Sequence, residues 1–144
     1  MDTNQPLIFA LVALAGLAQI ALVVGSLIIP GILNWKTELE KVQTLIKQMF
    51  WTYAAYILVI NLCFGLLSIF AVAELLNKSL MSLLVCGFIA MYWISRILIQ
   101  FFYFDKTSFP TGRWHRFAEI LLIILFVFLS IVYSMASYYN YQQP

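Results

Sequence analysis

Arg96 is the only charge within residues 79–104, an otherwise apolar stretch, and it is the residue best placed to do chemistry. Tyr92, Arg96, Gln100 and Tyr103 recur around it at helical spacing. They put a polar seam on one face of that segment, and such a seam must turn toward protein rather than hydrocarbon. A guanidinium at that depth has two roles open to it. It either fixes helix packing by snorkelling and pairing, or it binds an anionic group of a lipid or substrate. The natural partner is Glu119, in the first turn of the next apolar stretch. With neighbouring helices antiparallel and a rise of ~1.5 Å per residue, Glu119 is expected roughly 10 Å from Arg96 in depth. A snorkelling arginine could cover much of that gap, and the pair would remove two lone charges from a low-dielectric region. It would serve as a bundle-locking salt bridge, with a proton-relay carboxylate as the weaker reading. Farther along, Ser130, Tyr133 and Ser137 give the same segment a weak seam of its own.

Two amides stand near the middle of the other apolar stretches. Asn61 shares a helical face with Gly65 and Ser68, and Gln19 shares one with Gly16 and Ser26. Small residues let helices approach and amides hydrogen-bond across the gap, so both read as packing contacts. Ala21 and Gly25 supply a small-xxx-small spacing in the first stretch. Cys63 and Cys86 lie inside apolar runs and read as free buried thiols. Asp105 and His115 flank a polar connection, and one of each makes no metal site. Glu74 and Lys78, at i and i+4, read as a surface helix pair.

No motif of phosphate binding, dinucleotide binding, serine hydrolysis or zinc proteolysis occurs in the chain. The single histidine cannot supply a two-histidine site. No cofactor and no metal are expected, and no basic stripe marks a nucleic-acid partner. Only Glu119 and Asp105 could act as general acid or base, and neither has an evident catalytic partner.

The elements that position these residues follow from composition. The chain is 64% hydrophobic and 10% charged, with mean hydropathy +0.96, whereas soluble domains carry about 25% charged residues. That surface needs lipid as its solvent. Apolar stretches run over residues 7–29, 50–73, 79–104 and 117–138. Each reaches the ~20 residues a helix needs to cross hydrocarbon, and backbone groups in lipid must pair within their own segment. The fold expected is all-α: one transmembrane domain, an antiparallel four-helix bundle. Residues 1–6 hold no Lys or Arg, so the first stretch is expected to be a retained span.

The first connection repeats Trp35, Leu39, Val42, Ile46 and Met49 at helical spacing, with Asn34 as the expected N-cap. This predicts a short amphipathic helix, lying in the interface or running into the second span. Residues 75–78 make a tight hairpin. The first connection carries Lys36, Lys41 and Lys47, and the third carries Lys106, Arg113 and Arg116. The positive-inside rule makes that side cytoplasmic and puts both termini outside. Trp35, Trp51, Tyr53, Phe101, Phe102, Tyr103 and Trp114 would form the inner aromatic belt, and Tyr133, Tyr138, Tyr139 and Tyr141 the outer one.

Residues 88–105, with Tyr92, Trp93, Arg96, Gln100 and Asp105, resemble a family of small bacterial four-helix membrane proteins to which no reaction is assigned. Ile29-Pro30, Leu33-Asn34-Trp35 and Gln48-Met49-Phe50-Trp51 are similar to that family's first-connection pattern. The resemblance implies a bacterial inner-membrane location and makes Arg96, Gln100 and Asp105 the first positions to test. Three functions are then open. The first is a non-catalytic accessory subunit of a larger membrane complex, or of a homo-oligomer. The second is a binder or carrier of a lipophilic molecule such as a quinone, isoprenoid or lipid. The third is a membrane-embedded enzyme.

Overall fold

Amides immersed in hydrocarbon have only their own helix to bond to, and the apolar stretches fold accordingly. The computed structural model describes residues 5–103 and 112–142, the His115 side chain excepted. Its helices are α1 (Gln5–Ser26), α2 (Ile29–Ile32), α3 (Trp35–Leu39), α4 (Thr44–Phe70), α5 (Val72–Leu75), α6 (Leu80–Phe102) and α7 (Arg113–Tyr141). Four segments are long and apolar enough to cross a membrane: Gln5–Ile32, Thr44–Phe70, Leu80–Phe102 and Arg116–Tyr141. Among the described residues the protein is all-helical, and its four long apolar segments are those of a membrane protein.

The helix ends differ from the expected ones for local reasons. Pro30 sits in the first turn of α2, where it needs no amide partner, and its ring would meet the carbonyl of Ser26 if α1 continued. Leu27 and Ile28 instead close tight turns onto Val24 and Gly25. The helical spacing over residues 35–49 is interrupted: α3 stops at Leu39 and α4 starts at Thr44. Trp35 packs edge-on against Phe50 and Trp51, with centroids 4.9 and 5.9 Å apart, so the chain reverses to make this aromatic contact. Asn34 is not a side-chain cap. Its backbone is left-handed (φ 52°), and the αL position suits Asn better than most residues.

Lys78 also lies in the left-handed region, at φ 59°. The helix containing Glu74 has ended at Leu75 by then, so the expected i,i+4 helix pair does not form. The Lys78 ammonium lies 4.9 Å from the centre of the Tyr139 ring, and Glu74 accepts a hydrogen bond from Asn77. Ser79 and Ser82 then cap α6 reciprocally.

Packing is built on two close approaches. α1 meets α4 where Gly16 faces Gly65. A Cβ on Gly16 would stand 2.9 Å from the Gly65 carbonyl oxygen, and one on Gly65 would stand 3.1 Å from that of Gly16. The backbones therefore touch, as small-residue crossings in membranes allow. The Ala21/Gly25 spacing is not the crossing: Ala21 is exposed and open space surrounds Gly25. α6 lies along α7, with Gly87 against Ser137 and Trp93 against Phe126.

The core fills one half of the molecule, the half near α5. Ile8, Val12, Val72, Leu75, Ile89 and Leu129 are among its buried residues. α4 buries nothing before Asn61, and α6 nothing after Trp93. Among the described side chains of α7, none before Phe126 is buried. From that level toward α3 and the start of α7, the described side chains are half-buried or exposed, apart from Val23 of α1.

Candidate functional site

Three polar clusters occupy successive levels of the molecule, and their hydrogen-bond accounts differ. The middle one joins all four long helices. Gln19 of α1 donates from Nε2 to the Tyr133 hydroxyl of α7 and to the Ala15 carbonyl oxygen at 3.3 Å. Its Oε1 accepts the indole N–H of Trp93 on α6, at 3.3 Å. Ser68 of α4 is hydrogen-bonded to the same Tyr133 hydroxyl. Gln19, Ser68, Trp93 and Tyr133 are all 0% exposed. Each side-chain polar group here has a protein partner, so the cluster holds the bundle together and offers nothing to a ligand.

The second cluster closes the α5 half. Asn140 donates to the Leu75 carbonyl oxygen at 2.7 Å and accepts the Lys78 amide at 3.1 Å. Cys86 donates to the same carbonyl at 3.4 Å. A hairpin backbone left bare by the end of α5 is thereby satisfied from α7.

The third cluster contains Arg96. Tyr92 reaches from α6 to α4 and donates its hydroxyl proton to Asn61 Oδ1 at 2.7 Å. Its ring is held edge-on by Phe64, at 5.5 Å between centroids, and by Trp93, at 5.1 Å. One turn on, the Arg96 guanidinium carbon lies 5.6 Å from the centre of the Tyr92 ring, within range of a cation–π contact. Arg96 Nε is buried and has no hydrogen-bond partner. This position is the first turn of α6 beyond the last buried core residue, Trp93.

Of the residues singled out from sequence, Asn61, Tyr92 and Arg96 come together. Gln100 follows one turn later, half-buried, and Tyr103 ends the seam at 81% exposure. Glu119 is half-buried on α7. The register set by Gly87–Ser137 and Trp93–Phe126 puts Glu119 level with the last turn of α6. That is about six residues, roughly 10 Å, from Arg96. Among the described residues the ion pair within 4.0 Å is Lys41–Glu38, an exposed i,i+3 pair. Arg96 therefore meets an aromatic ring rather than the Glu119 carboxylate. Asp105 lies outside the described residues.

Sequence reasoning placed Tyr133 and Tyr139 in the outer aromatic belt. Both are buried, at 0% and 6% exposure, while Tyr138 and Tyr141 are exposed as expected. Helical spacing relative to Leu129 and Ala136 was the signal that could have assigned Tyr133 to the core. The roles of Trp93 and Asn140 had no such signal, because their partners come from distant segments.

The chemistry available at Arg96 is donation of hydrogen bonds by a cation in a low-dielectric setting. Among the described residues no three of His, Cys, Asp or Glu converge as metal ligands. No family model, curated protein or solved structure matches the chain.

Proposed function

We propose that this protein is a non-catalytic binder of a lipophilic molecule, holding its polar end at Arg96 in the half of the bundle that has no core. In this reading the chain is an antiparallel four-helix bundle in a bacterial inner membrane. Its basic connections face the cytoplasm, so the coreless half lies in the cytoplasmic leaflet. The observation that carries the reading is the buried Nε of Arg96, which lacks a partner where every neighbouring polar cluster is satisfied. A buried, unsatisfied, charged donor is costly. Its immediate surroundings are apolar, with Ile97 next in α6 and the Phe64 ring packed on Tyr92, and they suit a hydrocarbon tail.

The test is the native mass of the protein extracted in a mild detergent. A discrete bound mass in the wild type, lost in Arg96→Leu with helicity unchanged, is the expected result. Equal bound masses in both proteins would remove the reading.

A second reading is favoured by α4. It buries nothing before Asn61 and exposes Tyr53 and Tyr56 by 57% and 61%. An accessory subunit could dock that face on a larger membrane protein. A partner co-purifying in fixed ratio, and lost when Tyr53 and Tyr56 are replaced by Ala, would support this second reading.

A further inference from the structure

We infer that the group held at Arg96 is an oxyanion, a phosphate or carboxylate, carried by an amphiphile of the adjoining leaflet. This deepens the binding reading above and rests on it.

The charge balance comes first. α1 carries no Asp, Glu, Lys, Arg or His, and α4 none from Phe50 onward. Arg96 is the one charge on α6. Glu119 stands about six residues away in depth, roughly 10 Å by helical rise. Among the described residues no carboxylate is within ion-pair distance of the guanidinium. A neutral ligand such as a quinone would leave that charge uncompensated; an anion would balance it.

The donor and acceptor pattern agrees. The Tyr92 proton is committed to Asn61, so Tyr92 donates nothing further. Its ring face fixes the guanidinium in place. The Arg96 Nε–H has no protein partner, and the Gln100 amide stands one turn beyond. A guanidinium has five donors and no acceptor. Its best complement is a group that only accepts, and its fork matches two oxygens on one atom. A hydroxyl headgroup would leave the cationic charge unbalanced, and an amine would add to it.

The surroundings decide between a free ion and an amphiphile. Ile97 follows Arg96 in α6, the Phe64 ring packs on Tyr92 beside it, and the whole segment is apolar enough to cross a membrane. A hydrated inorganic ion would lose its water there for a single cationic partner, whereas an amphiphile brings a tail that those walls accept.

The experiment compares dodecyl phosphate, dodecanol and inorganic phosphate as ligands of the full chain in maltoside. Intrinsic fluorescence and native mass are the readouts. Dodecyl phosphate should bind at least about tenfold more tightly than dodecanol, equivalent to ~1.4 kcal/mol, and inorganic phosphate should not bind. Arg96→Gln should equalise the two dodecyl ligands. Arg96→Lys, which keeps the charge and loses the fork, should retain part of the preference, and circular dichroism verifies both folds. Equal binding of dodecyl phosphate and dodecanol would overturn the oxyanion and leave the lipophile reading standing. Binding of inorganic phosphate as tight as that of dodecyl phosphate would overturn the amphiphile. Binding of none of the three would overturn both readings, and a preference that survives in Arg96→Gln would remove Arg96 from the site.

Discussion

Gln19 of α1 and Tyr133 of α7 are hydrogen-bonded side chain to side chain, fully buried, across 114 residues of sequence. That bond fastens the first long helix to the last, and Ser68 and Trp93 extend it to the remaining two. Tyr133→Phe keeps the ring and removes the hydroxyl that Gln19 and Ser68 share. The expected loss is about 1–2 kcal/mol, at the upper end of interhelical hydrogen bonds in membranes because two partners are orphaned. Reversible unfolding in mixed detergent measures it. A change below a few tenths of a kcal/mol would mean that the cluster is not a tie between helices.

The glycines separate packing from propensity. Gly16→Ala puts a methyl 2.9 Å from the Gly65 carbonyl oxygen, which is backbone and cannot turn aside. A destabilisation of about 1–3 kcal/mol is expected from the overpacked crossing. Gly25→Ala meets nothing within 4 Å and lies in the same helix. It should be neutral or slightly stabilising, through the better helix propensity of Ala. Thermal unfolding of the two variants side by side checks this. Equal effects would contradict the Gly16–Gly65 contact.

Cys63 is exposed and Cys86 is buried beside Asn140. A membrane-permeant maleimide should therefore label Cys63 rapidly in the folded protein and Cys86 only on unfolding. Asn140→Ala removes the bonds to the Leu75 carbonyl and the Lys78 amide, so it should open the hairpin and speed Cys86 labelling several-fold. Peptide mass mapping reads both sites. Cys86 labelling that stays slow in the variant would show that Asn140 does not hold the hairpin.

The spans were legible in the sequence because hydrocarbon leaves a backbone no alternative to the helix, so run length alone decides. Polar depth was legible too: Gln19, Asn61 and Arg96 were recognisable as residues that cannot face lipid. Their partners were not. Helical spacing reports which residues share a face, and it is silent on which helix that face meets. Glu119 looked like the counter-ion of Arg96 by chemistry and stands at the expected depth, roughly 10 Å away, while the guanidinium turns back onto the Tyr92 ring. In the same way, Ala21 and Gly25 had the right spacing for a crossing, and the contact went to Gly16, one turn nearer the core. The coreless half could not be read from sequence, since the apolar residues there look the same whether they face protein or lipid.

Asn61 accepts the hydroxyl proton of Tyr92, whose ring faces the Arg96 guanidinium. Asn61→Leu leaves the Tyr92 hydroxyl without its acceptor and removes one of the contacts that hold the ring facing the guanidinium. The expected outcome is a three- to tenfold weaker preference for dodecyl phosphate over dodecanol, about 0.6–1.4 kcal/mol. Dodecanol binding itself should not change, which a purely structural role would not predict. Loss of affinity for both ligands equally would instead make Asn61 a packing residue.

The central claim is that the coreless half holds a specific lipophilic molecule at Arg96. The most direct measurement places a photo-crosslinking amino acid at Ile97, beside Arg96, and as a control at Met91, which is 67% exposed on the same helix. After irradiation in cells, the mass added at each position is read. The account predicts one discrete small adduct at position 97, absent at position 91 and absent when Arg96 is Gln. The same mixture of bulk lipid at both positions, indifferent to Arg96, would contradict it.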